Sequence, residues 1–229
     1  MLDQKFVISL GGSAVVPDEI DIDFLKKFCF LIKKQVAGGS KFVLVVGGGT
    51  TARNYQQAAE KITKIGQTQK DWIGIYATRL NARLVASVLI DQKCKAFFNE
   101  KLNLNNFSKH KIIIGGGGVP GHSSDFMAVR FAIDLGINTV INLGKPDYVY
   151  NVNPDKNSTA QPLGKLSWQE YFKIIPAKWS PGMNVPFDPI ASKLAQKHKI
   201  KVIVTGAKDL QNINNILVGK KFRGTTLDV

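Results

Sequence analysis

KFVLVVGGGTTARNYQQAAEKITK (residues 41–64) decides the fold. Its first six residues, KFVLVV, are a nearly continuous β-branched and aromatic run, the composition of a strand buried on both faces of a parallel sheet. Three glycines follow, Gly47, Gly48 and Gly49, and residues 51–64 then read as a helix. The same device occurs twice more. KFVISL (5–10) runs into Gly11-Gly12-Ser13, and KIII (111–114) runs into Gly115 through Gly118.

Working outward, residues 21–37 form an amphipathic helix, with Ile22, Leu25, Phe28, Ile32 and Val36 on one face and Asp21 and Asp23 at its start. Residues 72–91 read as a helix, followed by helices over 124–135, 167–175, 189–198 and 209–219. NTVINL (138–143) and IKVIVTG (200–206) are strands, and an edge strand is expected near 224–228. Strand, loop and helix in alternation predict an α/β fold: a three-layer αβα sandwich around an open, mainly parallel sheet. The stretch 144–166, rich in Lys, Pro and Asn, divides an N-terminal lobe (1–143) from a C-terminal lobe (144–229), merged into one compact domain.

In a parallel sheet the three glycine loops share the carboxyl edge, where ligands bind. Glycine lets a ligand approach the backbone, and the helix that follows offers unpaired N–H groups and a positive dipole end to phosphate. One such loop is explained as well by a tight turn; three imply a shared site for several phosphates. Two motifs nearly match and fail. GGGTTA (47–52) fits a loose dinucleotide fingerprint, with Asp71 at a suitable distance, but the residues before Asp71 do not form the required second strand. GGGVPGHS (116–123) resembles a Walker A loop with His122 in place of the lysine, so it lacks the phosphate-neutralising charge.

Composition narrows the partners. The 229 residues carry 31 Lys and Arg against 17 Asp and Glu, a net charge of +14 that draws anions toward the surface. The lysines are dispersed, with no Arg-rich run, which argues against a dedicated nucleic-acid module. Cys29 and Cys94 lie in apolar surroundings with no CxxC pairing, as expected of reduced thiols rather than a disulfide or zinc framework, and no protein metal site is expected. The sequence offers no stretch long enough to span a membrane and no signal segment at its start, so a cytoplasmic location is expected.

Six stretches together, ISLGGSAVVPDEIDIDFLKKF (8–28), VVGGGTTARNYQQAA (45–59), DWIGIYATRLNA (71–82), GGGVPGHSSD (116–125), VYNVNP (149–154) and FDPIASKLA (187–195), are similar in order and spacing to the amino acid kinase family, and within it to the UMP kinases of archaeal type. The resemblance spans nearly the whole chain. It implies phosphoryl transfer from ATP, with Mg2+, to UMP, and a homo-oligomer: a hexamer built as a trimer of dimers. By resemblance the N-terminal lobe takes the acceptor and the C-terminal lobe takes ATP.

The resemblance also implies residue roles. Gly11, Gly12 and Ser13 would lie under the transferring phosphates, and Gly47, Gly48 and Gly49 between acceptor and donor. Arg53 would project from the first helical turn toward phosphate; a plain surface charge is the alternative. Asp71 would accept from the ribose hydroxyls, and Arg79 would face the acceptor phosphate. The loop Gly118, Val119, Pro120, Gly121, His122, Ser123 and Ser124 would hold uracil and sugar, with His122 either a ligand contact or a solvated loop histidine. Asn142, Tyr150 and Asn153 would contact the adenine nucleotide. Asp188 would organise the catalytic cations, a role compatible with an N-cap before Pro189. Lys193 would contact phosphate or be a solvated helix charge.

Three departures stand out. Ser9 occupies the position where many members carry Lys, NLGKPDYVY (142–150) replaces a shorter stretch, and Asn153 stands where Asp is common. Other acceptors used in the family (acetylglutamate, aspartate, carbamate, isopentenyl phosphate) are rivals to UMP; isopentenyl phosphate kinases place His before the second glycine loop, where this chain has Val46. A nucleotide sensor without turnover is a further rival, favoured by Ser9 and opposed by the intact glycine loops, Arg53 and Asp188.

Overall fold

The structure is a computed structural model that describes residues 4–98, 102, 105–178, 183 and 185–228. The chain runs β1 (Lys5–Leu10), α1 (Gly12–Val15), α2 (Ile22–Ala37), β2 (Lys41–Val46), α3 (Gly49–Ile62), α4 (Gln67–Val88), β3 (Cys94–Ala96), α5 (Asn106–Lys109), β4 (Ile112–Gly115), α6 (Ser124–Asp134) and β5 (Thr139–Gly144). It continues through β6 (Val149–Tyr150), β7 (Pro162–Leu163), β8 (Lys165–Ser167), α7 (Trp168–Ile174), α8 (Pro189–Lys197), β9 (Lys201–Gly206), α9 (Leu210–Leu217) and β10 (Thr225–Asp228).

Among the described residues, eight strands form one sheet in the order β3-β4-β2-β1-β5-β9-β10-β8, and β6 and β7 form a separate antiparallel pair. Every neighbouring pair in the large sheet is parallel except β9 with β10. The predicted three-layer, mainly parallel architecture is therefore present. The chain lays down β2, β3 and β4 on one side of β1 and then returns to place β5 on the other. That reversal opens a crevice at the carboxyl edge, where ligands of α/β sheets bind.

Side-chain alternation along the strands divides the core between the two faces. On one face Val7, Val43, Val45 and Ile113 pack with α6, α7 and α8; on the other Ile8, Leu10, Leu44 and Ile114 pack with α1, α2, α4 and α9. Ser9, in phase with Val7, faces the α6 side and is fully buried.

The structure corrects several expected boundaries. The helix expected over 72–91 begins at Gln67 and ends at Val88, because the polar TQK turn after Gly66 is helical despite showing no apolar period. The strand near 224–228 is not an edge. β10 lies between β9 and β8, and the outer strand is β8, whose three residues are too few to show a period. Cys94–Ala96 escaped notice for the same reason. Cys29 is buried and Cys94 partly so; both are free, and loss of hydration pushes each thiol up to about 11.

Candidate active site

The three glycine loops follow β1, β2 and β4, adjacent strands in the order β4-β2-β1, so they do share one edge. Gly12 and Gly47–Gly49 pack against each other: a Cβ on Gly12 would come within 2.0 Å of the Gly49 nitrogen, and one on Gly47 within 2.4 Å of the Gly12 nitrogen. Gly49 has φ +60 and opens α3. Close packing between loops thus requires glycine here, beside any phosphate. Asn81, buried on α4, donates from Nδ2 to the carbonyls of Gly47 and Gly48, each at 3.0 Å, and pins the second loop.

The third loop is held from α4 as well. The Gly117 amide donates to Thr78 Oγ1 at 2.6 Å. The Arg79 guanidinium donates to the carbonyls of Gly117 (3.1 Å) and Gly118 (2.9 Å) and lies over the rings of Tyr76 and Phe98. Arg79 is thus engaged with the loop backbone rather than lining the cleft. Further along, Gly121, at φ +87, donates its amide to Asp71 Oδ2 at 2.7 Å, so α4 fixes both ends of the 117–121 segment.

Between the loops lies a cleft. Its lining includes Gly12, Gly47, Gly48, Gly49, Arg53, Asp71, His122, Ser123, Ser124 and Asp188 from the residues predicted, together with Thr78 and Asp125. Arg53 is exposed and donates to Thr50 Oγ1 at 2.5 Å. The His122 ring stacks on Phe126, with centroids 3.9 Å apart, and its Nδ1 is buried without a hydrogen-bond partner.

The floor is acidic. Asp188 is the N-cap of α8, accepting at Oδ1 from the amides of Ile190 (2.5 Å) and Ala191 (3.0 Å), while Ser123 donates to Oδ2. Asp125, in the first turn of α6, accepts from Ser9 Oγ at Oδ1 (2.7 Å) and from the Asp188 amide at Oδ2 (3.3 Å). Burial, and then the negative charge of Asp188, push the Asp125 carboxyl up to about 7, against the lowering hydrogen bond from Ser9. The fully buried Tyr171 supports the approach to α8: its hydroxyl donates to the Phe187 carbonyl and accepts from the Phe187 amide, both at 2.7 Å.

The remaining predicted residues do not line this cleft. Gly11 donates to the Leu143 carbonyl at 2.8 Å, across to β5, and Ser13 lies within α1. Asn142 is buried and donates to the Pro186 carbonyl at 2.5 Å, tying β5 to the segment before Asp188. Tyr150 sits on β6, edge-on to Tyr148; Asn153 is exposed in a turn, accepting from the Asp155 amide; Lys193 is exposed on α8. Val119 is exposed, Gly118 is buried and Pro120 partly buried, and none of the three lines the cleft.

The profile of the amino acid kinase family matches residues 4–206. The chain belongs to the amino acid kinase family. This family member is 35% identical over 233 aligned positions to the uridylate kinase of Thermoplasma volcanium, covering 99% of both chains. It is 34% identical to the uridylate kinase of Thermococcus kodakarensis, covering 98% of this chain and 99% of the other. Among solved structures, the uridylate kinase of Archaeoglobus fulgidus superposes with a TM-score of 0.79 at 31% identity, covering 98% of this chain and 99% of that one. The UMP kinase of Bacillus anthracis shares the fold, with a TM-score of 0.79 at 21% identity.

Sequence reasoning missed Asp125, Thr78 and Asn81. Asp125 closes the GHSSD motif and was visible as an acid at a helix start, which ordinarily signals only favourable dipole placement. Thr78 and Asn81 sit in the middle of a helix, where nothing in their spacing marks them as loop anchors. No helix among the described residues is long and apolar enough to cross a membrane.

Proposed function

We propose that this chain is a UMP kinase, transferring the γ-phosphoryl of ATP to UMP to give UDP and ADP in pyrimidine nucleotide biosynthesis. The observation that carries the reading is the cleft that joins residues of all three glycine loops, Arg53 and the Asp125–Asp188 pair, in a chain whose full-length relatives are uridylate kinases. In this reading residues 1–143 hold the acceptor. Gly47, Gly48, Asp71 and the loop 118–124 contact UMP, and Arg79 serves by holding that loop. Residues 144–229, with Gly11, Gly12, Ser13 and Gly49, hold ATP, and Asn142, Tyr150 and Asn153 contact the adenine nucleotide.

Phosphoryl transfer asks for alignment and charge neutralisation more than for covalent help. A UMP phosphate oxygen attacks the γ-phosphorus in line; the new P–O bond forms as the bond to the ADP oxygen breaks. Glycine-loop amides and Arg53 stabilise the charge on the transferring group. No general base is needed, because a phosphate monoester has its second pKa near ~6.

The family implies Mg2+ with ATP. The described residues contain no cluster of three metal-ligating side chains, but Asp125 and Asp188 both reach the cleft. Two carboxylates fit a Mg2+ that keeps waters and takes its other ligands from phosphates. When bound there, the ion would neutralise phosphate charge. The protein's own part is to orient the two acids through Ser9, Ser123 and the α8 amides.

A homo-oligomer, a hexamer built from dimers, belongs to the same proposal, supported by Trp72, Tyr76 and Leu80, an exposed stripe on one face of α4. A cytoplasmic location goes with it. The test of function is ADP release from Mg-ATP with UMP, CMP, dUMP, acetylglutamate and isopentenyl phosphate in parallel. Turnover on UMP is expected; silence on UMP with turnover on another acceptor, or binding without turnover, overturns the reading.

A further inference from the structure

Ser9 is a hydroxyl in the middle of a central strand whose neighbours Val7, Ile8 and Leu10 are all fully buried, and it is fully buried itself. A buried hydroxyl is costly unless it is bonded. Its one hydrogen bond given by the structure reaches across 116 residues of sequence to Asp125 Oδ1, at 2.7 Å. Ser9 does not line the cleft; Asp125 does.

The bond sits in a connected chain. Ser9 donates to one oxygen of Asp125, and the Asp188 amide donates to the other. Asp188 in turn accepts from Ser123, which caps the helix that carries Asp125. Strand β1 and the first turns of α6 and α8 are thereby joined through one carboxylate. With both oxygens bonded, rotation of the Asp125 carboxyl about its terminal torsion is blocked. Remove the Ser9 hydroxyl, and only the longer 3.3 Å bond to Asp188 restrains it.

We propose that Ser9 is a positioning residue, which orients Asp125, and through it the start of α8, for phosphoryl transfer without touching either substrate. The proposal rests on the kinase reading above and adds a role for a residue outside the cleft. The rival is a core serine that merely satisfies its own hydroxyl and contributes to stability alone.

The test is Ser9→Ala, alone and combined with Asp125→Ala. Ser9→Ala is expected to lower kcat about tenfold, the order of one lost hydrogen bond to a charged group, with KM for UMP and ATP unchanged within about twofold. In the Asp125→Ala background the same substitution should leave kcat where it is, because nothing remains to be positioned. An unchanged kcat for Ser9→Ala, or an equal fractional loss in both backgrounds, overturns the proposal. A readout independent of turnover accompanies these: the 1H–15N cross-peak of the Asp188 amide in the substrate-free protein. In Ser9→Ala it should shift, and its hydrogen exchange should quicken, as the Asp125 carboxylate turns; an unmoved peak overturns the positioning role. If the unsubstituted chain fails to phosphorylate UMP, the reading of function fails, while the Asp188 amide still decides the role of Ser9.

Discussion

Ser123 donates its hydroxyl to Asp188 Oδ2, joining the first turn of α6 to the N-terminus of α8. Asp188 therefore holds two positions, helix cap and cleft acid, and one pair of substitutions separates them. Asparagine caps a helix about as well as aspartate, and alanine costs roughly 1 kcal/mol at such a position. Asp188→Asn should keep the melting temperature within a few degrees while kcat falls on the order of 10²-fold, the scale seen when a charge-stabilising group is lost. Asp188→Ala should lose turnover and stability together. Full kcat in Asp188→Asn would leave Asp188 as a cap and nothing more.

Asp125 gives a pH dependence of defined sign. Its ordinary value is 3.8 and its folded value about 7. Between those limits the folded chain retains a proton that the unfolded chain has released, so stability falls as pH rises through the window and levels off above it. Without magnesium or nucleotide, melting of the unsubstituted chain should drop from pH 5 to pH 8 by more than that of Asp125→Asn, which carries no such titration. At pH 8 the Asn variant should be the more stable of the two and nearly inactive. Parallel melting curves for the two proteins would remove Asp125 as the source.

Asn81 fastens the second glycine loop through two carbonyls. Asn81→Ala strips both of their partner in a buried setting, a cost on the order of 1–3 kcal/mol. The melting temperature should fall, and KM should rise for UMP and ATP alike, because the loop lies between acceptor and donor in the proposed site. A rise confined to one substrate would show that the loop serves that ligand alone.

The sheet and its three loops were legible because each strand is a short apolar run broken by glycine, a purely local signal. The position of Asp188 was legible for the same reason, since DP at a helix start is a local pattern. What escaped depended on residues distant in sequence. Ser9 reads locally as a departure from the family, a lost lysine; only the fold shows its hydroxyl committed to Asp125. Arg79 reads as a cation on a helix near phosphate, yet it donates to the carbonyls of Gly117 and Gly118. The glycine in Gly12 reads as phosphate-binding, and the contact with Gly49 shows a packing demand that no spacing rule encodes.

The face of α4 that carries Trp72, Tyr76 and Leu80 is exposed in the single chain, with Leu80 at 64% and Tyr76 at 63%, and the adjoining α3 has no buried residue. Substitution at an exposed helix position ordinarily changes stability by less than ~0.5 kcal/mol. Leu80→Asp should therefore leave the fold intact by circular dichroism if the chain is monomeric. If this face meets a second copy, it would bury a carboxylate against apolar side chains and split the assembly. Light scattering after size exclusion should give a multiple of the 25.2 kDa chain for the unsubstituted protein and a smaller species for Leu80→Asp. An oligomer of unchanged mass in the variant would place the contact elsewhere, and a monomer in both would remove the oligomer from the proposal.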